Sequence, residues 1–303
     1  MVQRRPGLGY AMVAVAATLF AVNGTVSKVI LGSGISSGQL TAVRCAGALI
    51  GLALIAAGTQ PRSLRVRTGD LPVLIALGIA LAVVQWAYFF AIHRLDIGIA
   101  LLIQFVAPIF VALWARFVFH EPVRRRIWAA LALSVAGLML IVEVWHGGRL
   151  SGPGVAACGL AAISLAAYFL IAEHGVRRRD PVSLSAWAFL FATIFWSLLA
   201  PWWTFPGRRV DDHVSLLGNL ASTHVHLWLL MLWMVVLGGV VPFGLIVSAL
   251  RHISATRVGI MAMLEPVVAI VVAWAWLGES LRPVQLSGAA LTLLGIGLAQ
   301  TAR

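Results

Sequence analysis

The chain has 303 residues, of which 61% are hydrophobic and only 11% are charged. Soluble domains carry about 25% charged residues, so this chain cannot cover a water-facing surface, and a lipid bilayer is the expected solvent. The formal net charge is +12, but the arginines lie in short clusters between apolar runs. That distribution excludes a nucleic-acid-binding protein and is typical of membrane topology.

Ten apolar runs follow one another along the chain, and most have about 20 residues, enough to cross roughly 30 Å of hydrocarbon. The first is too long for the hydrophobic part of a signal peptide, and it carries Asn23 and Lys28, so we interpret it as a retained helix. The eighth is interrupted by Gly238, Gly239 and Pro242. The predicted spans are 8–31, 38–58, 71–92, 97–119, 127–145, 154–173, 182–203, 227–249, 256–277 and 284–301.

The arginines between these runs predict the orientation of the chain. With the N-terminus inside, fourteen arginines lie at the inner side and five at the outer side. This bias follows the positive-inside rule, and it predicts a multi-pass protein of the bacterial inner membrane with both termini in the cytoplasm. The longest loop, 204–226, is then external.

The two halves of the sequence share a spaced pattern. Pro108, Glu121 and Gly137 are separated by 13 and 16 residues, and Pro266, Glu279 and Gly295 repeat both gaps after an offset of 158. Each half holds five helices, and because five is odd, the second half enters the membrane in the opposite sense. The sequence therefore predicts an all-α membrane protein of two inverted five-helix repeats, 8–145 and 154–301, an architecture common among secondary transporters.

Several segments resemble a known family. They include Lys28 late in the first helix, Arg44 within "QLTAVRCAGALIGLAL", and the stretches "YFFAIHRLDIGIALLIQFVAPIFVALWARFVFHEPV" and "LIVSALRHISATRVGIMAMLEPVVAIVVAWAWLGESLRPVQLSGAALTLLGIGLAQ". The chain resembles the drug/metabolite transporter superfamily, in particular proteins with two EamA domains, which include bacterial exporters of amino acids and metabolites. The resemblance implies a cavity lined by the first, third, fourth, sixth, eighth and ninth helices, and substrate movement without ATP.

Glu265 lies near the middle of the ninth helix, next to Pro266. An ionised carboxylate at the bilayer centre costs about 2.5 kcal/mol or more, so it must face a cavity, pair with another group or be protonated. We interpret it as a site for a proton or a substrate amine; the alternative is a structural carboxyl bonded to a neighbouring helix. Pro266 frees a backbone carbonyl one turn earlier, as Pro108 does in the fourth helix, unless both are only packing kinks.

Other polar and aromatic side chains are predicted to line the same cavity. Buried amides and phenols need hydrogen-bond partners in lipid, and each could instead bond to a neighbouring helix. Two basic residues, Lys28 and Arg44, are candidates to hold a substrate carboxylate, or alternatively snorkel or pair structurally. The remaining predicted lining residues are Asn23, Gln85, Trp86, Tyr88, Gln104 and Tyr168.

For two glutamates at the membrane surfaces we predict a structural role, as partners in ion pairs. Glu121 is predicted to pair with the Arg124–Arg126 cluster, and Glu279 with Arg282.

The sequence as a whole indicates a secondary transporter, rather than an enzyme, that exports amino acids or related compounds by alternating access. A proton gradient or exchange is expected to drive it, because no Walker A sequence is present. The predicted partners are a small-molecule substrate, protons and membrane lipid, in a monomer or homodimer without metal, cofactor or nucleic acid. The alternative is a lipid-linked carrier flippase or a membrane-embedded enzyme on the same scaffold; the candidate metal ligands for the enzyme are Asp211, Asp212, His213, His224 and His226.

Overall fold

The computed structural model describes residues 5–66, 68–92, 94–95, 97–120, 123–143, 145, 151–200 and 207–301. Within these ranges, ten helices are long and apolar enough to cross a membrane, as predicted. The helices of the first half are α1 (Pro6–Gly32), α2 (Ser37–Thr59), α3 (Leu71–Ile92), α4 (Ile97–Gln104 and Ala107–Phe117) and α5 (Arg125–Val142).

The helices of the second half are α6 (Gly152–Gly175), α7 (Pro181–Leu199), α8 (Leu227–Val235, Val236–Val240 and Val241–Ala249), α9 (Ala255–Ala262, Leu264–Val272 and Ala273–Leu277) and α10 (Pro283–Thr301). Between α7 and α8, strands β1 (His213–Ser215) and β2 (His224–His226) form an antiparallel hairpin. The hairpin lies in the predicted outer loop.

Helix ends follow local sequence signals. Ser36 and Gln39 form a capping box at the start of α2, and Asp180 accepts backbone hydrogen bonds from Val182 and Ser183 at the start of α7. The fifth helix ends three residues earlier than predicted, because Glu143 adopts a left-handed backbone conformation with φ 52°.

The packing of α5 against α10 relates the two halves. A Cβ added at Gly137 would overlap the Thr292 side chain, and one added at Gly295 would overlap the Ser134 side chain. These two contacts are equivalent under the 158-residue offset, and the Thr292 hydroxyl also lies 3.5 Å from the Ser134 carbonyl oxygen. Equivalent residues meet only near a two-fold axis, so the pseudo-symmetry axis of the inverted repeat passes between α5 and α10. Small residues allow this close approach in lipid.

The breaks in α4 and α9 also obey the offset. The helical run stops at Phe105–Val106 in α4 and at Met263 in α9, and in each case a proline follows within the first turn of the next segment. Proline is tolerated there because a first-turn N–H needs no helical partner. Each break divides its helix into two successive segments near mid-membrane depth.

The predicted interruption of α8 is a π-helical turn. It spans Val236–Val240 and includes Gly238 and Gly239, and Pro242 begins the following α-helical segment. A Cβ at Gly238 would overlap the amide of Asn23 in α1, so the glycine is required for α1 and α8 to approach. Such π turns widen a helix locally and often occur at functional sites.

The two ends of the bundle differ. We call the end that carries the β-hairpin the loop face, and the end that carries residues 60–66, 176–180 and 250–254 the terminal face. Between the middle of the bundle and the terminal face, α4 and α9 are in contact: Pro108 of α4 lies 3.1 Å from the position of a Cβ on Gly259 of α9. This contact closes the centre of the bundle toward the terminal face.

Candidate substrate cavity

A cavity of about 910 Å³ occupies the centre of the bundle. It is lined by all six helices that the resemblance implied, with additional residues from α2, α5 and α10. Lys28, Leu31, Leu277 and Glu279 line its mouth at the loop-face ends of α1 and α9. Because the terminal face is closed, the structure represents a state open toward the loop face.

One basic and one acidic side chain line this cavity. Arg44 projects from α2, is only 9% exposed, and its guanidinium carbon lies 5.8 Å from the centre of the Phe243 ring. Glu265 lies in the first turn of the α9 segment that starts at Leu264, where the positive end of the helix dipole favours a carboxylate. Within the described residues, Arg44 and Glu265 form no direct ion pair within 4.0 Å. Both groups line the cavity and are therefore accessible to a ligand in it.

Several polar groups of the lining are unsatisfied. Within the described part of the chain, the Arg44 Nε and the Gln85 Oε1 have no hydrogen-bond partner, although the Gln85 Nε2 donates to the Cys45 sulfur at 3.4 Å. Buried polar groups normally have partners, so substrate or water is expected to supply them. The other lining residues with a buried polar atom left unpartnered are Asn23, Gln104 and Tyr168. Tyr88 also lines the cavity.

An aromatic cluster forms one side of the cavity. Phe243 packs edge-on against Phe20, Tyr168 and Phe189, with ring centroids 5.2, 6.1 and 5.0 Å apart respectively. Phe20 and Phe243 were not predicted from the sequence. Phe243 could have been predicted, because it directly follows the Gly-Gly and proline interruption of α8, and irregular helical turns of this kind often occur at functional sites.

The charged residues at the mouth pair differently from the sequence expectation. Glu279 was predicted to pair with Arg282, but its carboxylate lies 3.9 Å from the Lys28 ammonium, while Arg282 donates to Glu143 at 2.9 Å. The prediction was wrong because the packing of the bundle places Lys28 of α1 beside Glu279, and Glu143 at the end of α5 beside Arg282. Glu121 lies outside the described residues.

Three predicted residues lie away from the cavity wall. Trp86 is 39% exposed on the outer surface of α3 and its ring lies beside Phe90. Pro108 is buried against Gly259, and Pro242 is buried within α8. Pro266 does line the cavity, next to Glu265.

The histidines of the hairpin do not assemble a metal centre in the described residues. The rings of His213 and His226 have centroids 4.0 Å apart and planes tilted by 44°, and the His226 Nδ1 lies 3.2 Å from the Asp211 carbonyl oxygen. No group of three or more His, Cys, Asp or Glu side chains there is placed to hold a metal ion.

Ten membrane-length helices around a cavity that has polar groups in its wall and opens at one face define a multi-pass membrane protein that can hold a solute. Comparison with known proteins identifies the group. The sequence matches the EamA-like transporter family over residues 7–143 and again over 152–301. The chain therefore belongs to the EamA-like transporter family, and it is a transporter rather than an enzyme.

Similar proteins include a probable amino-acid metabolite efflux pump of Salmonella typhimurium, 25% identical over 75% of each chain. The threonine/homoserine exporter RhtA of Escherichia coli is 26% identical over 82% of this chain and 76% of its own. A crystal structure of a protein 15% identical superposes with a TM-score of 0.77 over 96% of both chains, which shows the shared fold.

Proposed function

We propose that the protein is a secondary exporter of amino acids or closely related zwitterions, located in the inner membrane with both termini in the cytoplasm. The observation that carries the proposal is the placement of Arg44 and Glu265 on one cavity without a direct bond between them. An α-amino acid carries a carboxylate and an ammonium group on the same carbon, so it complements this pair of charges.

The bound geometry follows from the chemistry of each group. The Arg44 guanidinium presents a planar fork that suits a carboxylate, and the Glu265 carboxylate accepts hydrogen bonds from an ammonium group. The unpartnered amide oxygens of Gln85 and Gln104 supply further acceptors. An apolar part of the substrate would contact the aromatic cluster around Phe243.

Proton coupling follows if the proton and the substrate ammonium compete for Glu265. In the state open to the loop face, a proton from outside binds the Glu265 carboxylate and releases the ammonium group. After conversion to the opposite state, the proton leaves to the cytoplasm and a new substrate binds. The names of the relatives, an efflux pump and an exporter, support this direction of movement.

The conversion between states uses the repeat. In the present state the terminal face is closed by α4 against α9 around Pro108 and Gly259. In the opposite state the two halves would exchange conformations. The contact between Pro108 and Gly259 would then open, and the contact equivalent to it under the 158-residue offset, Leu101 of α4 against Pro266 of α9, would form. Both of those residues now line the open cavity, so their contact would close the loop face.

Replacement of Glu265 by glutamine tests the proposal. Uptake and counterflow of an amino-acid panel are measured in proteoliposomes with and without an imposed proton gradient. The wild type should transport at least one amino acid in a gradient-dependent way, while Glu265→Gln should remain folded and lose the dependence. Trp86→Phe, on the outer surface of α3, is the matched control and should behave as wild type. Gradient-driven transport by Glu265→Gln at the wild-type rate would refute the coupling role.

A further inference from the structure

A second cavity, of about 1570 Å³, opens on the terminal face. It lies between residues 60–65 at the end of α2, residues 173–180 between α6 and α7, and residues 250–254 after α8. We call it the basic groove. Its charged lining residues are six arginines, Arg62, Arg65, Arg177, Arg178, Arg179 and Arg251, and three acids, Asp70, Glu173 and Asp180.

Asp70 and Asp180 are already engaged by the protein. Asp70 accepts from Arg179 at 2.9 Å, and the same guanidinium donates to the carbonyl oxygens of Ser63 and Arg65 at 2.8 and 3.1 Å. Asp180 caps α7 and lies 3.7 Å from Arg251. Two arginines of the groove are therefore neutralised inside it and hold its walls together.

Glu173 is the third acid, and it is engaged as well. One of its oxygens accepts the backbone N–H of Ala255 at 3.0 Å, which satisfies a free donor at the start of α9. The other oxygen lies 3.8 Å from Arg177. Glu173 is therefore engaged within the protein, as the two aspartates are.

Within the described part of the chain, three arginines of the groove have no carboxylate as a counterion. Arg62, Arg65 and Arg178 are exposed at its wall, and no carboxylate in the described part of the chain lies within 4.0 Å of their guanidinium groups. Arg62 and Arg65 belong to the first half of the chain and Arg178 to the second. The unneutralised charge is thus concentrated in a concave site where the two halves meet.

We propose that the basic groove binds a phosphate group, supplied either by the headgroup of an anionic phospholipid or by a soluble phosphate. Guanidinium groups bind phosphate oxygens in bidentate geometry, and basic pockets between membrane helices are suited to phospholipid headgroups. A phosphate held by arginines from both halves bridges them, so binding stabilises the closed terminal face. The proposal does not depend on which solute the central cavity carries.

The same face offers a matched control. Arg124, Arg125 and Arg126, at the start of α5, are three exposed arginines that do not line the groove. They carry the same charge on the same face, so they report general attraction of anions to a basic surface. The test compares the triple substitution of Arg62, Arg65 and Arg178 by glutamine with the triple substitution of Arg124–Arg126 by glutamine.

The full-length protein in a neutral detergent is titrated with a short-chain phosphatidylglycerol and, separately, with inorganic phosphate at constant ionic strength, while the thermal unfolding midpoint is followed. We expect saturable stabilisation of the wild type and of the Arg124–Arg126 variant. In the groove variant, half-saturation should require about a hundredfold more ligand, since each arginine near an anionic group contributes roughly fivefold. Arg178→Gln alone should weaken binding by about fivefold, and serves if the triple variant does not fold.

The two titrations distinguish the sources of the phosphate. Stabilisation by phosphatidylglycerol alone indicates a lipid headgroup, whereas stabilisation by inorganic phosphate as well indicates a site for soluble phosphates. The proposal is overturned if neither compound stabilises the wild type, or if the groove and control variants lose stabilisation equally.

Discussion

The Asp70–Arg179 pair is predicted to hold the terminal face closed. Asp70 precedes α3 in the first half, and Arg179 lies between α6 and α7 in the second half. The Arg179 side chain is only 9% exposed and the Asp70 side chain 27% exposed, with 2.9 Å between their charged atoms. Substitution of Asp70 by alanine leaves a buried cation without its counterion. We expect this cost to fall on the closed state, since opening of the terminal face would separate the two halves.

The magnitude follows from burial. Removal of one partner from a buried pair costs about 3–5 kcal/mol. Arg179 keeps its carbonyl acceptors and Asp70 is partly solvated, so we take about 2 kcal/mol, which is roughly a thirtyfold shift of the equilibrium toward opening. Arg177→Gln is the control, because the Arg177–Glu173 pair is 3.8 Å apart and Arg177 is 58% exposed; such pairs contribute about 0–1 kcal/mol.

Opening is measured by the labelling rate of a single cysteine with a water-soluble maleimide. In a background in which Cys45 and Cys158 are replaced, Ala107→Cys reports on the contact between α4 and α9, next to Pro108, where the native alanine is fully buried. Asp70→Ala should raise its labelling rate by about the same thirtyfold. Ala130→Cys, buried in α5, detects unfolding instead and should stay protected. Labelling no faster than in the Arg177→Gln control would refute the reasoning.

Two further predictions concern the repeat. Gly137→Leu should lower the thermal unfolding midpoint by several degrees, because the new side chain would collide with α10 and overpacking costs about 1–3 kcal/mol. Gly24→Ala is the control and should leave the midpoint unchanged, since no atom lies within 4 Å of the added Cβ. Equal midpoints for the two variants would contradict the tight α5–α10 contact. Cysteines substituted for Leu101 and Pro266 should form a disulfide only in the state closed at the loop face. Mass spectrometry should therefore detect more of this disulfide under turnover. Absence of the disulfide in all conditions would argue against an exchange of conformations between the two halves.

Much of the architecture could be predicted from the sequence. Hydropathy predicted ten helices because a chain in lipid must satisfy its backbone internally and present apolar side chains outward. The matched positions of Pro108 and Pro266 indicated the repeat, and five helices per half made it inverted. Glu265 could be singled out because an acid in an apolar helix needs a special environment.

The site could be predicted only in part. Trp86 and Tyr88 are neighbours in the same aromatic stretch, yet Tyr88 lines the cavity and Trp86 lies on the outer surface. Nearly the whole circumference of α3 is apolar, so hydropathy does not reveal which face points inward. The pairing of Glu279 with Lys28 instead of Arg282 was missed for a related reason, because loop geometry separates sequence neighbours.

The sequence by itself therefore determined that the protein lies in a lipid bilayer, how many helices it has and that its halves are antiparallel. These properties depend on composition and on the number of apolar runs along the chain. The tertiary structure alone decided the rotation of each helix and the meeting of distant residues, such as Arg44 of α2 with Glu265 of α9 around one cavity. Rotation is set by close packing, as where Gly238 admits Asn23 and where Gly137 admits Thr292. Such contacts depend on side-chain shape across helices, which no single apolar segment encodes.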